Sequence, residues 1–76
     1  MLDPVVIGNV IQEYRESRKL SQEVVSGLAG IARTHLSAIE RGTRRPTLET
    51  FFRIGEALQV EPSEMMKEIE EKMRNR

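Results

Sequence analysis

Residues 21–40 read Ser21-Gln22-Glu23-Val24-Val25-Ser26-Gly27-Leu28-Ala29-Gly30-Ile31-Ala32-Arg33-Thr34-His35-Leu36-Ser37-Ala38-Ile39-Glu40, and this stretch decides the fold. Ser21, with Glu23 and Val24 close behind, is placed to cap a helix in which Val24, Val25 and Leu28 are expected to face inward. That helix ends near Ala29-Gly30. Glycine takes positive φ without steric cost, so Gly30 can turn the chain tightly into a second short helix over residues 32–41, with Leu36 and Ile39 inward.

Toward the amino terminus, Asp3-Pro4 is a helix-start signal: Asp accepts from free first-turn amides and Pro tolerates the first helical position. Ile7, Val10, Ile11 and Tyr14 then share one face, which predicts a helix over 4–18. Toward the carboxyl terminus, Gly42-Thr43 stops the helix over 32–41, and Arg44-Arg45-Pro46 reads as an extended connector because the residue before proline disfavours helical geometry. Thr47 caps a helix over 48–58 that offers Leu48, Phe51, Phe52, Ile54 and Leu58 to the core. Glu61-Pro62 opens a last helix, to about residue 74, with Met65, Met66, Ile69 and Met73 recurring on one face. No strand pattern appears, so the expectation is a compact all-α domain of five helices spanning 1–76, with a helix-turn-helix at about 21–41.

With 76 residues, 38% apolar and 4% aromatic, the chain can supply one core and little more. A chain this small is marginal alone, which makes burial of an apolar face in a homodimer a natural expectation. There is no cysteine and a single histidine, so neither a disulfide framework nor a zinc site is expected, and no cofactor motif is present. An enzyme would need a pocket with titratable groups in mutual reach, and the composition offers no such set. Met1–Val10 lacks the basic run of a secretory signal, and no apolar run approaches the roughly 20 residues that span a bilayer. The simplest reading is a cytoplasmic chain with no membrane partner.

The formal net charge is zero, but the charge is segregated. Between Arg33 and Gly55 five basic residues (Arg33, Arg41, Arg44, Arg45, Arg53) face two acidic ones (Glu40, Glu49), a local balance of +3. Residues 56–76 carry −2 and residues 1–32 carry −1. Two short helices joined by a glycine turn let one helix lie across a DNA backbone while the next enters the major groove, and the positive segment coincides with the second helix of that unit.

The strings Leu20-Ser21-Gln22-Glu23, Ala29-Gly30-Ile31-Ala32-Arg33-Thr34, Ile39-Glu40-Arg41-Gly42 and Arg45-Pro46-Thr47-Leu48-Glu49-Thr50 resemble the lambda-repressor-like, Cro/C1-type (XRE) helix-turn-helix family over nearly the whole chain. Within it, Arg33-Thr34-His35-Leu36-Ser37 with Ile39-Glu40-Arg41 is most similar to the controller proteins of restriction-modification systems. The resemblance implies a prokaryotic or phage transcriptional regulator that binds double-stranded DNA as a homodimer on a pseudo-palindromic operator. It places Arg33, Thr34, His35, Ala38 and Arg44 at base edges and Gln22, Ser37, Arg41, Thr43 and Arg45 on the sugar-phosphate backbone, with Gln22 also bracing the recognition helix and an intramolecular ion pair an equal alternative for Arg41. Arginine suits guanine because its planar fork donates twice to O6 and N7. It also implies an ion pair between Arg15 and Glu40 that holds the scaffold. The amphipathic last helix has too few neighbours to bury its whole face, so Met65 and Ile69 are expected in the core and Met66, Met73 and Phe52 at a twofold dimer contact. A second reading, a protein-interaction module or the antitoxin half of a toxin pair, would rest on the acidic C-terminal face instead.

Three positions depart from the family pattern. Lys19 stands where a glycine usually ends the first helix in the left-handed region, at a cost of roughly 1 kcal/mol. Gly27 and Gly55 replace better helix formers, and close helix approach is the expected reason for both.

Overall fold

The computed structural model describes residues 1–75. Five helices run in order: α1 Pro4–Ser17, α2 Gln22–Ala29, α3 Arg33–Glu40, α4 Leu48–Leu58 and α5 Pro62–Arg74. Their ends lie within about one residue of the sequence expectation, and for α1, α2 and α4 an explicit side-chain cap sets the start. Asp3 accepts from the Val5 amide at 2.8 Å, Ser21 from Val24 at 3.1 Å and Thr47 from Thr50 at 3.1 Å. Gly30 closes α2 in the left-handed region at φ +73°, and the Ile31 amide bonds back to the Ser26 carbonyl at 3.0 Å. Lys19 takes the same conformation after α1 at φ +56°, as does Gln59 after α4 at φ +57°, a position with no glycine to announce it.

α1 packs on α3 and α5, while α2 packs on α3 and α4, and α4 on α5. Val10, Ile11, Val25, Leu36, Ile39, Ile54, Leu58, Met65 and Ile69 are fully buried at the centre. The phase of two helices differs from the sequence expectation. On α2, Val25 and Ala29 form the inward stripe, so Val24 (46% exposed) and Leu28 (68%), about 100° round the helix, point to solvent. On α4, Phe51, Ile54 and Leu58 face the core, which turns Leu48 (71%) and Phe52 (52%) outward. Neighbouring residues lie about 100° apart at 3.6 residues per turn, so the member of each doublet that lines up with the buried stripe faces inward, Val25 with Ala29 at i+4 and Phe51 with Ile54 and Leu58 at i+3 and i+7.

The glycines also divide. A Cβ on Gly55 would sit 3.1 Å from Pro62 and from the Val60 carbonyl, so close approach of α4 to the start of α5 accounts for it. Gly27 has nothing within 4 Å, which overturns the expectation of close approach there. Gly27→Ala is therefore expected to stabilise the protein by about 0.5–1 kcal/mol, read as a higher midpoint in urea denaturation. An unchanged or lower midpoint would show that α2 needs the flexibility.

Candidate nucleic-acid interface

The support of α3 is built first from Glu40, its last residue. Arg15 of α1 grips Glu40 with both prongs of its fork, Nε donating to Oε2 at 2.7 Å and Nη2 to Oε1 at 2.9 Å. Its remaining nitrogen, Nη1, donates to the Leu20 carbonyl at 2.9 Å, tying in the loop before α2. The Gln22 side chain at the head of α2 adds Nε2 to Glu40 Oε1 at 3.0 Å. The Arg15 and Glu40 side chains are 12% and 3% exposed. Hydrogen bonding to Glu40 raises the Arg15 pKa above its ordinary value despite the opposing effect of burial, so this guanidinium stays charged at any accessible pH. One carboxylate thus joins α1, α2 and the end of α3, and fixes how α3 projects. Gln22, expected to bond a phosphate and to brace the recognition helix, makes a brace to the end of α3 through this amide.

α3 then presents a graded outer surface. Arg33 and Thr34, in its first turn, are exposed, and their side chains have no partner among the described residues. Ala32 provides no side-chain cap, so first-turn amides at this end are left for solvent or ligand. His35, Ser37 and Ala38 are half-buried. The Ser37 hydroxyl accepts from Arg41 Nη1 at 2.5 Å, an intramolecular bond for two residues expected at phosphates. Thr43 donates to the Ala38 carbonyl at 3.1 Å and so helps close the end of α3.

In the connector from α3 to α4, Arg44 is exposed and unpartnered among the described residues, whereas Arg45 Nη1 donates to the Leu2 carbonyl at 2.6 Å. Arg45 therefore straps the segment before α1 to this loop. Met66 and Met73, expected at a dimer contact, are partly buried against the core, and Phe52 is half-exposed. Met66 lines a small apolar crevice with Leu2, Pro46 and Leu48.

Two supporting features escaped the sequence reading. The first is the backbone packing of α1 at Gly8: a Cβ there would run into the Ile39 and Glu40 carbonyls, the latter at 2.6 Å. A glycine inside an otherwise well-formed amphipathic helix was the available signal. The second is the Leu20 carbonyl as an acceptor for Arg15, for which a sequence carries no mark.

Among known proteins, the helix-turn-helix family profile matches residues 11–65. An uncharacterized HTH-type transcriptional regulator of Sinorhizobium fredii, y4dJ, is 32% identical over 66 residues, covering 87% of this chain and 86% of its own length. The control protein C.BamHI of Bacillus amyloliquefaciens is 33% identical over 63 residues, covering 82% of this chain and 78% of its own. Among solved structures, the restriction-modification controller protein C.AhdI of Aeromonas hydrophila superposes with a TM-score of 0.81 at 34% identity, over 86% of this chain and 98% of that one.

Proposed function

This chain belongs to the Cro/C1-type helix-turn-helix family of transcriptional regulators, and from that premise we propose that it binds a specific double-stranded DNA operator as a homodimer and controls transcription there. The observation that carries the reading is the first turn of α3, where Arg33 and Thr34 stand exposed and unpartnered on a helix locked to the rest of the fold through Glu40. Exposed cations without internal partners can meet base edges and phosphates without first breaking a contact. Arg33 and Thr34 read bases, His35 and Ala38 line the same face, and Arg44 adds a contact from the connector. Gln22, Ser37, Arg41, Thr43 and Arg45 orient the protein on the backbone, with the Arg41 and Arg45 side chains exchanging their Ser37 and Leu2 acceptors for phosphate.

A restriction-modification controller is the finer assignment, supported by the likeness to C.BamHI and C.AhdI. The dimer reading is supported by exposed Leu2 and Leu48, which share an apolar crevice with Met66, and by half-exposed Phe52 on α4. Two recognition helices about 34 Å apart then specify an inverted repeat. No helix among the described residues is long and apolar enough to cross a membrane, and the cytoplasm of a bacterium is the setting this function requires.

Selection of bound sequences from a random duplex pool tests the proposal. Enrichment of an inverted repeat is expected, and Arg33→Ala should lose preference at one base in each half-site, by about tenfold to a hundredfold, while remaining folded. No enriched motif at low salt would rule the proposal out.

A further inference from the structure

The five arginines of the basic segment are held in three ways. Arg33 and Arg44 have no side-chain partner among the described residues, and Arg41 and Arg45 donate to neutral oxygens of Ser37 and Leu2. Among the described residues, Arg53 is the one of the five that meets a carboxylate, Glu49, with Nη2 to Oε2 at 2.6 Å. Arg53 lies on the second turn of α4, yet its guanidinium reaches the turn between α2 and α3: Nη1 is 3.8 Å from where a Cβ on Gly30 would stand. Gly30 precedes Arg33, the leading base-reading candidate, by three residues.

Neither packing nor desolvation fixes this pair, because the two side chains are 50% and 73% exposed. It is an i,i+4 pair on the open face of α4, a contact weak enough for another anion to replace. A carboxylate also presents two oxygens to a guanidinium in the way a phosphate does.

We propose that Arg53 is an additional backbone-gripping residue of the DNA interface, and that Glu49 is an internal substitute for a phosphate, displaced when the duplex docks. The inference rests on the DNA-binding reading above. Glu49 lowers affinity in two ways: it occupies Arg53 in the free protein, and it repels phosphates beside the turn. A purely structural Arg53, set against the carbonyl end of α2, would instead affect melting alone.

The two roles separate in the salt dependence of binding to a random-sequence duplex, measured by fluorescence anisotropy between about 0.05 and 0.3 M salt, where each neutralised phosphate contributes a slope of about 0.9. Arg53→Ala is expected to reduce the slope by about 0.9 per bound subunit and to weaken binding about fivefold per subunit near 0.15 M salt. Arg53→Lys should retain the slope. Glu49→Gln should tighten binding about twofold to fivefold, and this gain should shrink when Arg53 is already absent. Circular dichroism melts confirm that each variant is folded. Wild-type binding with a slope that Arg53→Ala leaves unmoved would overturn the inference alone. Wild-type protein with no salt-dependent binding would overturn both it and the DNA-binding reading.

Discussion

Gly8→Ala should lower stability by about 2–3 kcal/mol, although alanine is the better helix former by about 0.5–1 kcal/mol. The new methyl would meet no flexible side chain. It would point at the carbonyls that end α3, 2.6 Å from the Glu40 oxygen and 2.8 Å from the Glu40 carbonyl carbon. Backbone at a helix end gives way only if the whole helix shifts, so α1 and α3 must separate. Against a total stability of about 4–11 kcal/mol for a chain of this length, such a loss populates the unfolded state appreciably. Function should suffer further, because α3 is the helix that carries Arg33 and Thr34. The folded fraction of Gly8→Ala should therefore bind its selected operator more weakly than wild type, whereas Gly27→Ala, with open space around it, should melt higher and bind normally. Urea denaturation with operator titration checks both signs. A Gly8→Ala protein as stable as wild type would mean that α1 and α3 are not in backbone contact.

That contrast shows what a sequence can and cannot disclose here. Helix positions were legible because the signals are local: Asp3, Ser21 and Thr47 act within three residues of themselves, and Gly30 ends α2 through its own φ. The direction each helix faces was less so. Val24-Val25 and Phe51-Phe52 are apolar doublets, and a doublet fixes the period of a helix without fixing its phase. Only packing showed that Val25 and Phe51 go in while Val24 and Phe52 stay out. Gly8 and Gly27 are identical in local terms, each a weak residue inside a helix, and they differ only in what lies across from them.

The candidate site divides in the same way. Its scaffold residues, Arg15 and Glu40, are 25 positions apart, a separation that leaves no periodic trace, and the family resemblance alone suggested that they meet. The Leu2 carbonyl that holds Arg45 is 43 positions away and left no mark in the sequence, whereas Ser37–Arg41 and Glu49–Arg53 are i,i+4 neighbours on expected helices, so their spacing was legible and their pairing was not. A guanidinium at the end of a long, flexible stem can choose among several acceptors, and which one it takes depends on the folded surface around it.

Arg15→Ala should be the most damaging change of all, costing about 3–5 kcal/mol. The Glu40 side chain is 3% exposed, so its charge depends on donors from the protein instead of on water. Truncating Arg15 removes both prongs from Glu40 and leaves Gln22 Nε2, at 3.0 Å, as its remaining side-chain donor. The Leu20 carbonyl loses its donor as well. A carboxylate stranded in this way either unfolds the protein or draws α3 out of place. The pair need not be strongly stabilising for its half-removal to be costly, since the penalty lies in the uncompensated charge. Replacing both ends at once, as Arg15→Met with Glu40→Leu, should bring stability back to within about 1–2 kcal/mol of wild type. Because the contact is shielded from solvent, the deficit of Arg15→Ala should be nearly the same at low and at about 1 M salt, unlike the steep salt response expected of DNA binding. Affinity corrected for the folded fraction should fall less than stability does, since Arg15 faces Glu40 and Leu20 within the fold. Denaturation of the two single variants and the double variant closes the cycle. If the double variant proves as unstable as Arg15→Ala, the loss comes from packing around α1, and Glu40 does not hold the recognition helix through charge.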